Sequence, residues 1–491
     1  YERIRNSLLK NKPEGVELSP MQESFARAVG WLGNVFRIPT RCLVAEDEFC
    51  KQVAFRGQLY ADLAGEGAER GLKGMELKEF IDSRLSQAFD TEGRIVKNEL
   101  TDKALRFAQD CSWTSPLEQG SVGHGLQQMA NNHTLMKLAV PFIKTPMNIF
   151  YDAMRHFPTA PLTQKFRQQI RAGGEARADA LGRLAVGSML VTSSIGLAAE
   201  GRITGAYPAN PKLRELWDAN GIKPYSIKIG DTWYEYRRFD PMGLVMSVAA
   251  DSYFNAVEEH YDKVGQLDDS PMAQRVLLGV LTSVANNLED KTYVQGIADL
   301  IHVLDEPERR MERYVSKQVA SFLPYSGALR WYKNQWGDPT MRETKGVLDY
   351  VKNASSLTSK DLPPKMSWLT GEPVAYRGMK VQQKDDKVLQ ELLRLGPAVL
   401  GAPAKDIEGV PLNTEQYSRL CELHGTFVIN GRNMKDVLDQ LIHSPGYDLE
   451  RNLRDDGIPG QTTPRTQAVN KVISAYRQAA QYQLLQEYPE L

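Results

Sequence analysis

One run of the 491-residue sequence without a charged residue is LAVGSMLVTSSIGLAA, from Leu184 to Ala199, between Arg183 and Glu200. As a helix this run would cover about 24 Å, whereas a bilayer core is about 30 Å thick. Four hydroxyl residues lower its hydrophobicity further: Ser188, Thr192, Ser193 and Ser194. These features favour a helix buried inside the fold. The alternative is a segment that enters a membrane under some condition.

Small residues recur at helical spacing within this run. Ser188, Thr192 and Gly196 follow one another at intervals of four residues, so they would form one ridge on a helix. Such a ridge lets a second helix approach closely, either in a protein core or in lipid. We therefore expect these three residues to mark a helix-packing or membrane-entering segment.

A basic stretch precedes the charge-free run. Between residues 144 and 183 there are seven Lys and Arg residues and three acidic residues. One interpretation is a solvated helix face. The other is a patch that binds the phosphates of DNA or of lipid headgroups. The candidate phosphate contacts are Lys165, Arg167, Arg171 and Arg177.

The overall charge and the cysteines exclude several classes of protein. The net charge is −1, so the chain as a whole does not attract nucleic acid or anionic lipid. The four cysteines are scattered and lack CxxC spacing. A disulfide framework and a structural zinc site are therefore not expected.

The sequence carries no familiar catalytic pattern, since HExxH, GxxxxGK[ST] and GxSxG are all absent. The glycines of GEGAERG (65–71) indicate a joint between helices rather than a phosphate-binding loop. His124 and His133 are close in sequence, but no further ligand pair surrounds them. We predict no catalytic residue, no cofactor, no metal site and no enzymatic activity. An enzyme with an unfamiliar site is the less favoured alternative.

Apolar periodicity predicts a mainly α fold of several helical segments. One apolar stripe, preceded by Asn433 as a helix N-cap, consists of Met434, Val437, Leu438, Leu441 and Ile442. The final segment repeats this pattern from Val469 to Leu484. The stretch YSIKIGDTWYEYRR (225–238) alternates instead, and it predicts one short β-hairpin at about 225–237 that turns at Gly230-Asp231.

Shifts in composition predict six segments. They are an N-terminal helical region (1–110), a proline-punctuated helical region with the charge-free helix (111–200), a loop and β-hairpin (201–245), a helical region (246–354), an ordered linker (355–410) and a C-terminal helical region (411–491). Because the first residue is Tyr1 rather than Met, we expect the chain to be part of a longer polypeptide.

Long, unusual strings distinguish the chain, for example GSVGHGLQQMANNHTLMKLAVPFIKTPMNIF (120–150) and FLPYSGALRWYKNQWGDPTMRE (322–343). Similar strings lie at residues 37–64, 201–243, 362–374, 391–396 and 409–420. Together these strings cover much of the chain. They resemble the C-terminal regions of large internal virion proteins, the DNA ejection proteins of tailed bacteriophages.

The resemblance implies a structural role in delivering viral DNA across the host cell envelope. Such proteins are packaged near the portal, leave the particle with the genome and help form a conduit. The implied partners are other ejection proteins, portal and tail proteins, viral DNA and, conditionally, the host membrane, and a homo-oligomer is expected. The implied locations are the virion interior and, after ejection, the host envelope.

Some relatives of this kind carry an enzyme, such as a virion-packaged RNA polymerase. The alternative function is therefore a packaging and docking scaffold for an enzyme carried in the virion. The family's catalytic motifs match no residue of this sequence, so the resemblance assigns no catalytic residue.

Overall fold

The computed structural model of the chain describes residues 20–132, 143–208, 210–257, 325–449 and 463–491. Most of these residues are helical and a few form short antiparallel strands, which confirms the predicted mainly α fold with a small β-hairpin. Contacts divide the chain into two compact units, with the boundary between Asn148 and Ile149. The finer division into six segments stays a prediction.

The first unit is built on one long helix. Its helices are α1 (Pro20–Glu69), α2 (Gly74–Gln87), α3 (Glu99–Cys111) and α4 (Val122–Asn132). Helix α1 is long because it continues through Gly65 and Gly67 of the GEGAERG string. The chain turns after Glu69, at Gly71, as the helix joint predicts.

The core of the first unit lies where α1 meets α2 and α3. Phe55, Leu59 and Leu63 follow one another at intervals of four residues and are buried against Ile81 and Ala104. This packing uses one face of the C-terminal half of α1.

The second unit holds most of the helices, and α5 spans the boundary. They are α5 (Lys144–His156), α6 (Gln164–Ala172), α7 (Gly174–Ala199), α8 (Pro211–Asn220), α9 (Met242–Val257), α10 (Ser326–Tyr332), α11 (Gly346–Lys352), α12 (Lys387–Leu395), α13 (Thr414–Thr426), α14 (Met434–Ile442), α15 (Pro445–Leu449) and α16 (Pro464–Glu487). A π-helical turn, Lys333–Gly337, follows α10 directly.

The predicted hairpin forms part of a three-stranded antiparallel sheet. Strands β1 (Ser226–Ile229) and β2 (Thr232–Glu235) pair around the predicted Gly230-Asp231 turn, with Ile229 opposite Thr232. Strand β3 (Lys380–Gln382) pairs with β2 from a distant part of the sequence. A second, two-stranded pairing joins β4 (Asp406–Ile407) and β5 (Val410–Pro411).

Helices α12, α13, α14 and α16 enclose a large hydrophobic core. Leu392, Leu420, Leu438 and Ile473 are fully buried in it. The predicted N-cap is confirmed, because the Asn433 side chain accepts a hydrogen bond from the backbone of α14. Leu392 belongs to the segment 355–410, so this segment contributes to the core as well as connecting its neighbours.

Candidate functional site

Helix α7 contains the whole charge-free run and packs on one side only. Its buried residues are Ala180, Gly187, Ser194 and Ala198. Leu190 and Val191 of α7 pack against a core formed by α5 and α9, in which Ala153, Leu244 and Val248 are buried. The packing face therefore combines small residues with two branched apolar side chains.

Gly187 marks the closest approach of α7 to α5. A Cβ atom at this position would lie 1.7 Å from the main-chain oxygen of His156, the last residue of α5. Since that obstacle is backbone, it cannot rotate away. Only glycine fits where the two helices touch.

An ion pair connects Arg183, the residue before the charge-free run, to α5. The Arg183 guanidinium donates to the Asp152 carboxylate at 2.6 Å and to the Asp179 carboxylate at 2.9 Å. Asp152 also lies 3.9 Å from Arg155. These partly exposed ion pairs hold the orientation of α7 more than they stabilise the fold.

The opposite side of α7 is apolar and exposed. Met189 is 64% exposed, and Leu181, Val186 and Ile195 are exposed beside it. In the most apolar 18-residue window of α7, 17% of the residues are buried. A helix that is apolar all round is normally covered by protein or by lipid. The outward face of α7, defined here by Leu181, Val186, Met189 and Ile195, is not covered by any residue that the structure describes.

Length and composition also permit α7 to reach across a membrane. Within the described ranges, α7 is the one helix of at least 18 residues that passes this test. Its 26 residues correspond to about 39 Å, which exceeds the ~30 Å of a bilayer core. The charge-free run alone is shorter than this because the helix begins ten residues earlier, at Gly174.

The predicted ridge does not make the helix contacts of α7. Thr192 and Gly196 are exposed, Ser188 is half-buried, and a Cβ on Gly196 would meet no atom within 4 Å. Among the described residues no helix packs on this ridge, because it turns away from α5 and α9, so its role as a helix-packing or membrane-entering segment stays a prediction. The expectation of a mostly buried helix is wrong for the same reason. Entry of the segment into a membrane stays a prediction.

The four candidate phosphate contacts lie on α6 and at the start of α7. Arg167, Arg171 and Arg177 are exposed, and Lys165 is half-buried. Arg167 donates to the carbonyl oxygen of Leu162 at 2.5 Å, which is a structural use of its charge. Arg171 lies in the last turn of α6, where a positive charge also stabilises the helix end.

Two glycines set the angle between these basic residues and the apolar helix. Gly173 and Gly174 join α6 to α7, and both have positive φ, 73° and 51°. No heavy atom lies within 4 Å of a Cβ built on either residue. The backbone conformation, and not lack of space, calls for glycine here.

Sequence analysis missed a buried polar cluster after α10. Lys333 is fully buried, and its ammonium donates to the main-chain oxygen of Asn353 at 3.1 Å and to the Asn353 side chain. Burial lowers the pKa of Lys333 to about 8. The sequence signal was weak, since Asn353 lies twenty residues away.

Asp338 belongs to the same cluster. Arg342 donates to it at 2.8 and 3.0 Å, and Ser359 donates at 2.6 Å. Burial alone would raise the pKa of Asp338, but these hydrogen bonds outweigh it and hold the pKa below its usual value. Each charged group has its partners inside the cluster, which is the pattern of a structural network.

Exposed aromatic side chains surround this cluster. Trp331 and Trp336 are both exposed and meet edge to face, with ring centroids 4.8 Å apart, and Tyr332 lies beside them. Exposed tryptophans of this kind are enriched at protein interfaces. The aromatic cluster Trp331/Tyr332/Trp336 is a second exposed apolar surface of the second unit.

His424 is the buried histidine of the C-terminal core. Its Nδ1 lies 2.7 Å from the carbonyl oxygen of Trp368, so the neutral ring carries its proton on Nδ1. Burial lowers the pKa of His424 to about 4, against the opposing effect of this hydrogen bond. The ring packs edge to face on Trp368 and has the surroundings of a core residue.

Metal ligands do not cluster in the described part of the chain, where no three His, Cys, Asp or Glu side chains are placed to hold an ion. His124 lies in α4, and His133 is outside the described residues. Comparison with family models, curated proteins and solved structures found no match.

Proposed function

We propose that this chain is a structural internal virion protein of a tailed bacteriophage, which helps deliver viral DNA across the host cell envelope. The resemblance of its long strings to ejection proteins supports this role. The observation that carries the proposal is the outward face of α7, an exposed apolar surface on a helix of membrane-spanning length. In this proposal α7 is the element that contacts the host membrane.

The apolar contribution to membrane binding can be approximated from side-chain transfer. Full burial of a Val, Leu, Ile or Met side chain contributes about 1.5–3 kcal/mol. The four side chains of the outward face are roughly half exposed, so their transfer into lipid would contribute roughly 3–6 kcal/mol in total. That is enough for reversible association but not for permanent insertion.

The basic residues add an electrostatic contribution. Arg171 lies in α6 and Arg177 lies near the start of α7, and both side chains are exposed. Each basic residue near an anionic leaflet contributes about 1 kcal/mol. The same side chains can bind DNA phosphates, because both ligands present the same charged group. We therefore assign α6 and the start of α7 to phosphate binding in either setting.

A docking role is the second candidate function, and the aromatic cluster Trp331/Tyr332/Trp336 favours it. Trp and Tyr are the residue types that most often dominate binding energy at protein interfaces. In this alternative the chain packages or positions an enzyme carried in the virion, and the aromatic cluster contacts a companion virion protein. The outward face of α7 would then be covered by protein instead of lipid.

Vesicle flotation tests the membrane role. The purified chain is mixed with vesicles of phosphatidylcholine alone or with phosphatidylglycerol, and we expect binding that increases with anionic lipid. On vesicles of phosphatidylcholine alone, Met189→Lys should weaken binding about tenfold, because it replaces an apolar side chain of the outward face by a charged one. Met379→Lys is the matched control: Met379 is 53% exposed and lies beside strand β2 rather than on α7, so this variant should bind to phosphatidylcholine like the unaltered chain.

Two results would contradict the membrane role. One is absence of binding to either vesicle type. The other is equal binding by Met189→Lys and the unaltered chain. The delivery role is tested separately by fractionating virions and infected cells. The chain should be found in virions and then with the host envelope, and an exclusively cytoplasmic location would contradict it.

A further inference from the structure

An exposed apolar stripe runs along α1, on a face centred about 80° around the helix from Leu59 in the core of the first unit. Trp31, Ile38, Phe49, Val53 and Tyr60 are all exposed. At 3.6 residues per turn these five residues, together with Cys42 and Ala45, fall within about 40° of Trp31 around the helix. We call these seven residues the α1 stripe. Three of them are aromatic, which is unusual for a solvated helix face.

The positions of the stripe residues are symmetric along the helix. Trp31 and Tyr60, Ile38 and Val53, and Cys42 and Phe49 each lie at equal distances from the midpoint between Ala45 and Glu46. A second copy of α1, turned by 180° about that midpoint, would place large side chains opposite large ones at the ends. The small Ala45 would lie near the crossing point, where two helices approach most closely.

The charges at the edge of the stripe are arranged in the same way. Arg41 and Glu48 are exposed on the same side of the stripe, and Glu48 accepts a hydrogen bond from Gln52. In an antiparallel pair, equivalent edges of the two helices lie together. Arg41 of one copy would then lie within about 3 Å, along the helix axis, of Glu48 of the other. The symmetry makes this contact twice.

Two charged residues lie on or beside the α1 stripe, but its apolar side chains remain exposed. Arg56 falls on the same face, but its guanidinium lies over the ring of Phe89, 5.5 Å from the centroid, and leaves Val53 and Tyr60 exposed. Glu46 lies next to the midpoint, so the two copies of Glu46 would repel each other. This repulsion limits the strength of the pair.

We propose that the α1 stripe binds the α1 stripe of a second copy of this chain in an antiparallel arrangement. The surface is large enough for this partner. Aromatic side chains bury 150–250 Å² each when fully covered, so the exposed parts of the stripe provide roughly 500 Å² from each copy. Two copies reach about 1,000 Å², the lower limit for a specific interface. The inference uses the first unit alone and does not depend on α7.

Sedimentation of the purified chain tests the pairing. We expect a concentration-dependent dimer. Phe49→Asp should raise its dissociation constant at least tenfold. Val44→Asp is the matched control, since Val44 is 61% exposed and Phe49 is 69% exposed, but Val44 lies about 140° around the helix from the stripe. A chain that stays monomeric, or equal behaviour of the two variants, would overturn the proposal.

Cysteine cross-linking tests the direction of the pair and does not depend on Phe49. The background is Cys42→Ser, Cys50→Ser and Cys111→Ser, because these three thiols are exposed and Cys421 is buried. Ile38→Cys and Val53→Cys proteins should form a mixed disulfide dimer with each other on oxidation, and neither should cross-link efficiently with itself. Efficient self-cross-linking of Ile38→Cys would show a parallel pair and reject the antiparallel one.

Charge exchange tests the register. Arg41→Glu and Glu48→Arg should each weaken the dimer several-fold, and the double variant should restore it, because it exchanges the two signs at both symmetric contacts. Glu46→Gln should strengthen the dimer, since it removes the repulsion at the midpoint. Failure of the double variant to recover would contradict the proposed register.

Discussion

Gly187 of α7 lies against the main-chain carbonyl of His156, so closely that a Cβ atom would be 1.7 Å from the oxygen. The contact sets which side of α7 faces the protein. Leu190 and Val191 pack against the core on the same side as Gly187, whereas Met189 is exposed to solvent. The exposed face that carries the proposed membrane role is therefore a consequence of where one glycine touches α5.

Two glycines of α7 should respond in opposite ways to alanine. Gly187→Ala should lower the free energy of unfolding by about 3 kcal/mol or more, because the backbone of His156 blocks the added carbon. Gly196→Ala should raise it by up to about 1 kcal/mol, since alanine favours helix and the space is open. Denaturant unfolding of the two variants checks this, and equal effects would contradict the assigned packing face.

Acid should weaken the C-terminal core through His424. The pKa of His424 is about 4 in the folded chain and about 6.5 when unfolded, so the unfolded chain binds an extra proton between these values. Stability is fully present above pH 6.5 and falls by roughly 3 kcal/mol as the pH approaches 4. Thermal unfolding should show a smaller loss in His424→Gln than in the exposed control His443→Gln.

The buried Lys333 should make the free energy of unfolding increase with pH in alkaline solution. Its pKa is about 8 when folded and about 10.5 when unfolded, so its contribution to stability increases from pH 8 to pH 10.5. Other groups also titrate in this range, so the difference between the unaltered chain and Lys333→Met is the quantity to measure. That difference should change with pH, and Lys360→Met, at an exposed lysine, is the control substitution.

Exposed arginines of α6 and α7 should control phosphate binding. Arg171→Gln and Arg177→Gln should each weaken binding to DNA, or to anionic vesicles, and each should reduce the salt dependence of DNA binding by about one charge. Titrations at several salt concentrations measure this slope. Arg94→Gln, at another exposed arginine, is the control. Unchanged slopes in both variants would show that these residues are only a solvated face.

Local patterns predicted those parts of the fold that depend on neighbouring residues. The α14 stripe after Asn433 and the turn at Gly230-Asp231 are both set within a few positions, and both are confirmed. Strand β3 was missed because its pairing with β2 depends on residues about 150 positions away. The partners of Lys333 were missed for the same reason, although they lie nearer in sequence.

The face of α7 that contacts the protein could not be predicted from the sequence, because two sets of small residues lie on that helix. The ridge at Ser188, Thr192 and Gly196 has regular spacing, whereas the true contact residues, Gly187 and Ser194, are seven positions apart. Both sets suit close helix packing. The position of the His156 carbonyl decides between them, and no local pattern encodes it.

The joint at Gly173 and Gly174 restricts how this region can change during evolution. Any other L-residue at either position would cost roughly 1–2 kcal/mol in the left-handed conformation, although there is room for its side chain. Substitution of either glycine would therefore change the angle between the arginines of α6 and the apolar side of α7. The packing of the hydrophobic cores would be affected less. Under the proposed delivery role, selection would act on two glycines outside the surfaces assigned to DNA and lipid.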